Sequence, residues 1–354
     1  MSVFDPRNMR LVKIPLEVSL IRQMDELVLE GIGGYSDRND FIRDAISSLV
    51  METRYPIHNL SEQPGKATQV AHKNASRNEA LDNSDKAPRQ ANNNTTITWP
   101  AEIKPIDHSD AEPLDIPLLG LHNRDFPSLW ATARIAAICS NNAQDINFCF
   151  DEVVRTAWEF GKQLQTLEST GSQRYSALFP TNSKKRTSCE NAFRTFAMGR
   201  VISGTILKTV GPLFQWRICG LIADAKGPRI GILRGALNLF KQLVGISAES
   251  PHSQDHALAF LEHLRSNASA DFSMLMFILE VVSKKPTRQY LVTQVTTRDN
   301  NWSPEQGNSF AAGYVARARE WGLVEPKMLS GAYILTKFGE DVRRNYATHT
   351  EVSK

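Results

Sequence analysis

Residues that could carry metal or acid–base chemistry are few in this 354-residue chain, and their spacing is poor for it. In PHSQDHALAFLEH, His252, His256 and His263 stand at i, i+4 and i+11, and the first pair has the spacing of two metal ligands on one helix face. No Cys or further His stands nearby, and His263 falls beyond the pair, so structural or solvated roles are expected and a metal is not. Asp151–Glu152 and Glu340–Asp341 are adjacent in sequence, and adjacent residues on a helix do not share a face. The sequence holds no nucleophile elbow, phosphate-binding glycine loop or HExxH signature. The expectation is a protein that is not an enzyme and needs no cofactor.

The elements around these residues set the frame. With 41% hydrophobic and 22% charged residues the composition is globular, and the length favours two or three domains. No apolar run reaches the ~18 residues of a membrane span, and the N-terminus lacks a signal peptide's apolar segment, so a cytoplasmic, nucleoid-associated location is expected. Cys139, Cys149, Cys189 and Cys219 show no CxxC spacing and suit a reducing compartment. The net charge of +3 is unevenly divided. Residues 1–55 hold seven Lys/Arg against nine Asp/Glu, residues 56–120 six against nine, and residues 121–354 the remaining 28 against 20. The body is basic, which would favour nonspecific attraction to DNA.

From Pro56 to Leu119 the chain is rich in Asn, Ser, Pro, Asp and Gln and has no apolar period, so it reads as a disordered tether. A stable body is then expected to begin near Leu121. Beyond it the pattern is mainly α. FPSLWATARIAAIC, AQDINFCFDEVVRTAWEFGKQLQTL, DHALAFLEHLRSN and DFSMLMFILEVVSKK carry apolar residues at three- and four-residue spacing. KKR at 184–186 reads as a solvated loop. Ser303 before Pro304 and Glu305 predicts a helix start, and the helix runs to Trp321 and stops at Gly322. LVEP, a turn at Ser330–Gly331 and AYILT predict a two-stranded wing, followed by a last helix from about Lys337.

This order resembles the winged-helix family over residues 271–346. A weaker echo lies 102 residues upstream, where Gly220-Leu221-Ile222 and Ile232-Leu233 match Gly322-Leu323-Val324 and Ile334-Leu335. It leaves a helical domain over 120–270 with a possible second winged helix in tandem. Arg317 and Arg319 read either as DNA-facing residues of a recognition helix or as a solvated helix face. As DNA contacts they are assigned to phosphate attraction. Winged helices also mediate protein contacts, and the body is a candidate surface for higher oligomers.

The N-terminal unit, residues 1–55, carries the most specific pattern. In MRLVKIPLEV, Val12, Ile14 and Leu16 alternate with Leu11, Lys13 and Pro15, giving a strand with one apolar face. A helix with Leu20, Met24, Leu27 and Val28 follows and ends at GIGG. A second starts at Asp37 as N-cap, with Asp40 behind it and Phe41, Ile42, Ala45, Ile46 and Leu49 as its buried stripe. One strand cannot satisfy its own backbone, and so small a core is marginal alone, so the strand should pair antiparallel with its twin. Read without that pairing, VKIPL is a loop and the helices form a plain hairpin.

Residues 9–52 resemble the ribbon-helix-helix family of Arc- and MetJ-like prokaryotic repressors. The resemblance implies a homodimer on double-stranded DNA. Leu11, Lys13 and Pro15 would face the bases beside Arg10, and Asp37, Arg38 and Asn39 would lie at a phosphate-binding helix start. Among the three ribbon positions only Lys13 donates a hydrogen bond, so specificity is expected to be modest or shape-dependent. The function expected is a dimeric transcriptional repressor, with two alternatives: a DNA-binding assembly factor for plasmid partition or a mobile element, or a DNA-targeting subunit of a defence complex. Residues 1–55 alone should form a dimer whose melting temperature rises with protein concentration, because folding and association are linked. Ile14→Lys places an unpaired charge in the shared core and should abolish that fold. Sedimentation and melting across a wide concentration range check both.

Overall fold

The computed structural model describes residues 95–118, 123–168, 175–202, 207–224, 227–248, 252–298 and 302–350, together with Ile21. The ribbon-helix-helix expectation, with Arg10, Leu11, Lys13, Pro15, Asp37, Arg38 and Asn39, therefore lies outside the described residues. Within them the chain is mainly helical, as its periodicity predicts.

Strand β1 (Glu112–Pro113) is followed by helix α1 (Phe126–Ile138), strand β2 (Gln144–Asp145) and helix α2 (Ile146–Glu168). Helix α3 (Arg186–Phe193) continues as a π-helical turn over Arg194–Met198. Strands β3 (Arg200–Ile202) and β4 (Lys208–Val210), the short helix α4 (Pro212–Gln215) and strands β5 (Cys219–Asp224) and β6 (Gly227–Ile232) come next. Then follow α5 (Leu237–Gln242), α6 (Gln254–Asn267), α7 (Ser269–Val282), α8 (Arg288–Arg298), α9 (Pro304–Glu320) and α10 (Lys337–Thr350). One sheet has the order β1-β4-β3, with β1 parallel to β4. The other, β2-β6-β5, is antiparallel throughout.

Local signals explain several element ends. Ser303 caps α9 and accepts from the Gln306 N–H while the Gln306 side chain accepts from the Ser303 N–H, a reciprocal pair typically worth about 1 kcal/mol. Gly322 at φ 69° stops the helix where the sequence predicts. The predicted wing is shorter than expected. Only the bridges Val324↔Leu335 and Leu329↔Ala332 form, beside the Glu325 N–H to Ile334 carbonyl bond of 2.8 Å. The upstream echo is a full ladder, but in another register: Ile222 pairs with Arg229, not with Leu233.

The tether expected over 56–119 is corrected in its last part, because residues 95–118 form a strap bound to the body. Ile97 is buried and donates to Ile246, and the Trp99 ring stacks on Phe240 at 4.3 Å while its indole N–H reaches the Leu243 carbonyl. The Ile106 N–H donates to Ile232, and the Asp110 N–H to Leu221. Gly220 and Gly231 make room for this passage: a Cβ on either would lie 2.9 Å from Ser109 or Ile106. The composition hid the strap because it meets several partners in turn, the segment at 246–248, β6, β5 and β4, each over only one to three residues, which leaves no sustained period to detect.

A nonspecific protease should accordingly leave a body fragment that begins no later than Thr95, not near Leu121, as N-terminal sequencing would show. Trp99→Ala should destabilise the body by about 2–3 kcal/mol in denaturant unfolding, less than for a fully buried tryptophan because the ring is partly exposed.

Candidate nucleic-acid interface

Residues 183–210 hold six Lys/Arg (Lys184, Lys185, Arg186, Arg194, Arg200 and Lys208) against one carboxylate, Glu190. This stretch supplies most of the body's positive excess. Its core is the helical run from Arg186 to Met198. Phe193 fixes the run, packing against Phe179 at 5.6 Å and Trp130 at 6.1 Å inside an aromatic cluster that Phe160 completes. Ala197 and Met198 are also buried. The opposite face, with Arg186, Thr187, Ser188 and Asn191, is exposed. KKR at 184–186 is therefore corrected from a loop to the entrance of this helix, with Lys185 as its N-cap residue.

Helix α2 lies antiparallel beside this run. Arg194 pairs with Asp151, whereas Arg186 lies over the Trp158 ring, about two turns along α2. Arg186 also pairs with Glu190 at 2.7 Å, and Arg155 with Glu152 and Glu159. These are exposed pairs of the kind that contribute little to stability and are readily exchanged for another anion. Arg200 and Lys208 extend the basic surface onto the β3–β4 hairpin, where both are exposed.

Arg317 lies elsewhere. It is 1% exposed, and its guanidinium donates from Nη1 and Nη2 to the two oxygens of Asp271 at 2.6 and 2.7 Å and from Nε to Asp125 at 2.7 Å. The expectation that it attracts phosphate is corrected, since a guanidinium with these partners inside the core does not meet solvent. Arg319 is half-buried, donates to the Glu325 carbonyl at 3.0 Å and packs on the Tyr333 ring. Burial lowers its pKa. Both arginines hold the fold of α9 and the turn after it.

The Arg317 joint gathers distant parts of the chain. Trp216 and Tyr314 donate to Asp271, Trp321 donates to Asp125, and the Leu118 N–H donates to the Tyr314 oxygen. The Glu320 carboxylate accepts the Asp125 and Phe126 N–H groups at 2.6 and 3.0 Å, so α9 caps the start of α1. Removing one member of such a buried ionic cluster typically costs 3–5 kcal/mol.

The histidines are structural. His252 precedes the N-cap Ser253, so it and His256 do not share a helix face. Its ring lies by Trp321 and Phe126, 3.8 Å from Glu320. His256 Nε2 meets the Val244 carbonyl, and buried His263 donates from Nε2 to the Trp216 carbonyl at 2.7 Å, with its pKa lowered by burial. Among the described residues no group of three His, Cys, Asp or Glu is arranged to hold a metal ion.

No protein-family model, curated protein or solved structure matches the chain.

The joint has a pH signature. Burial holds Asp125 up at about 6, with the Glu320 and Asp271 carboxylates adding to the rise and Arg317 and Trp321 opposing it. Asp271 is held low, because Arg317, Tyr314 and Trp216 outweigh its burial. A raised carboxyl contributes stability that is complete below the unfolded value and is lost as pH rises through about 6; the shift amounts to roughly 2–4 kcal/mol. Asp271 works in the opposite direction and loses its contribution as pH falls. Asp125→Asn removes only the first effect. Between pH 4 and 7 the wild-type body should lose roughly 2–4 kcal/mol relative to this variant in denaturant unfolding, and a pH-independent difference would show that Asp125 is ionised throughout.

Proposed function

We propose that the chain is a dimeric, sequence-specific double-stranded DNA-binding protein acting as a transcriptional repressor, with its reading helix at Arg186–Met198. The observation that carries this reading is the exposed polar face of that helix, set within the basic stretch 183–210 and pinned from behind by Phe193.

The surrounding order supports it. Helix α1, strand β2, helix α2, helix α3 and the β5–β6 hairpin follow one another, and β2 joins the hairpin's second strand in the sheet β2-β6-β5. Helix, strand, helix, helix and hairpin is the arrangement of a winged helix, here with β3, β4 and α4 inserted before the hairpin. Helices α7, α8 and α9, the bridged turn and α10 resemble a second such unit over residues 271–346. In this reading the first unit faces DNA. The second, whose α9 is buried from Gly313 to Ala318, serves mainly as its support. The N-terminal ribbon, with Lys13, would add dimerisation and a second set of base contacts.

On that exposed face, Ser188 and Asn191 would read base edges. An asparagine pairs well with adenine N6 and N7. A site would first be selected from genomic fragments with the full chain. Asn191→Ala should then cost about 1–3 kcal/mol on that site and little on random duplex. Arg200→Ala with Lys208→Ala should weaken both duplexes alike and reduce the log–log salt slope by roughly one or two. Filter binding of the two variants across a salt series measures this. Retention of no duplex at low salt by the full chain would sink the reading. Footprints covering long repeat arrays, in place of one or two half-sites, would move it to the assembly factor.

A further inference from the structure

The chain has six tryptophans, and five have an aromatic partner. Trp99 stacks on Phe240, Trp130 on Phe160 and Trp302 on Phe310, while Trp216 and Trp321 both pack against Phe260. Trp158, partly exposed on α2, has no such partner among the described residues. Its ring contacts are two cations: Lys162 Nζ at 5.2 Å, one turn along the same helix, and the Arg186 guanidinium at 4.7 Å, at the start of α3.

The surrounding acids leave this pair under-compensated. Glu152 and Glu159 are taken by Arg155, and Asp151 by Arg194. Glu190 engages Arg186 through Nε, which leaves the two terminal nitrogens of the fork for another acceptor. Lys162 contacts the neutral amide of Gln165 at 3.0 Å. Exposed Lys185 adds a third positive charge to the same shoulder.

From this we infer that Trp158, Lys162 and Arg186 form a shoulder that grips the phosphodiester backbone of duplex DNA, while the face of α3 next to it reads the groove. The inference rests on the DNA-binding reading above. An indole face holds the two cations near one point before any ligand arrives, through attraction to its ring quadrupole. Their charged groups lie at most about 10 Å apart, since each sits within 5.2 Å of the same ring centre. At about 3.4 Å of helix axis per nucleotide of one strand, that is the reach of neighbouring phosphates on that strand. Cations held in this way lose less side-chain freedom when they meet a phosphate than free ones do. The guanidinium's remaining fork also fits phosphate oxygens geometrically.

The test uses the full chain, the selected duplex and a random duplex of equal length. Lys162→Gln should weaken binding to both by about three- to tenfold at low salt and lower the log–log salt slope by about one. Trp158→Leu leaves every charge in place, so a simple charge effect predicts wild-type binding. The shoulder predicts a loss of about threefold or more at an unchanged slope, because only the ring's ordering of the cations is removed. Thermal melting accompanies both. Should Trp158→Leu lower the melting temperature, Trp158→Phe, which keeps an aromatic face and every charge, decides between the two: the shoulder predicts that it restores most of the affinity lost in Trp158→Leu. Wild-type affinity and slope in Lys162→Gln would overturn the shoulder, and an intact Asn191→Ala effect would show that the DNA reading survives it. Competition by poly-glutamate as strong as by random duplex at equal charge would also overturn it, since the surface would then take any polyanion.

Discussion

A single guanidinium, that of Arg317, sits between carboxylates from distant parts of the chain, and its neighbours are arranged to satisfy it. An unpaired charge at that depth is prohibitively costly. Asp271 must therefore present both oxygens and Asp125 a third, all within 2.7 Å. Trp216 and Tyr314 donate to the remaining lone pairs of the two Asp271 oxygens, and Trp321 donates to the second oxygen of Asp125. Each donor fixes its own segment in turn, so the start of α1, the turn after α4, the start of α7 and the end of α9 share one junction. Replacing the whole cluster with apolar residues need not weaken the fold, but breaking it in part would. What the cluster adds is a single geometry, because charged hydrogen bonds are directional where apolar contacts are not.

The junction also separates two uses of positive charge. Arg317 is cancelled within the core and adds nothing to the external field. Of the basic residues of 183–210, Lys185, Arg186, Arg200 and Lys208 are exposed and Arg194 is half-buried; the carboxylates that Arg186 and Arg194 meet lie at the surface, so their field reaches solvent. A formal charge balance treats the two groups alike. Burial decides which of them a polyanion would feel.

The same distinction explains what the sequence alone revealed. The start and end of α9 were legible because Ser303, Pro304 and Gly322 act on their own neighbours in the chain. The long helices were legible from their apolar spacing. The role of Arg317 was hidden, since its partners stand 46 and 192 residues away. One local hint was present: around Arg317, GYVARA offers no polar face, and a helix apolar all round is buried. The entrance to α3 was misread because eight residues with one buried aromatic are too few to establish a period. The strap at 95–118 is hidden for a related reason: it bonds residues 246–248, then β6, β5 and β4, too briefly at each for one period to show.

The separation of those partners has a consequence for how the protein is made. The Leu118 N–H waits for a hydroxyl 196 residues downstream, and Asp125 for an indole equally far along. A ribosome adding about 5–20 residues per second needs roughly 10–40 s to bridge that interval. Helices α1 and α2 are complete early and can pair at once, since they are neighbours in the chain. During the wait their shared apolar face has no lid, and Asp125 is an ordinary solvated carboxylate. A nascent chain in that state exposes hydrophobic surface for the time a chaperone needs to find it. Among the described residues, the joint buried deepest closes only after nearly all the others have left the ribosome.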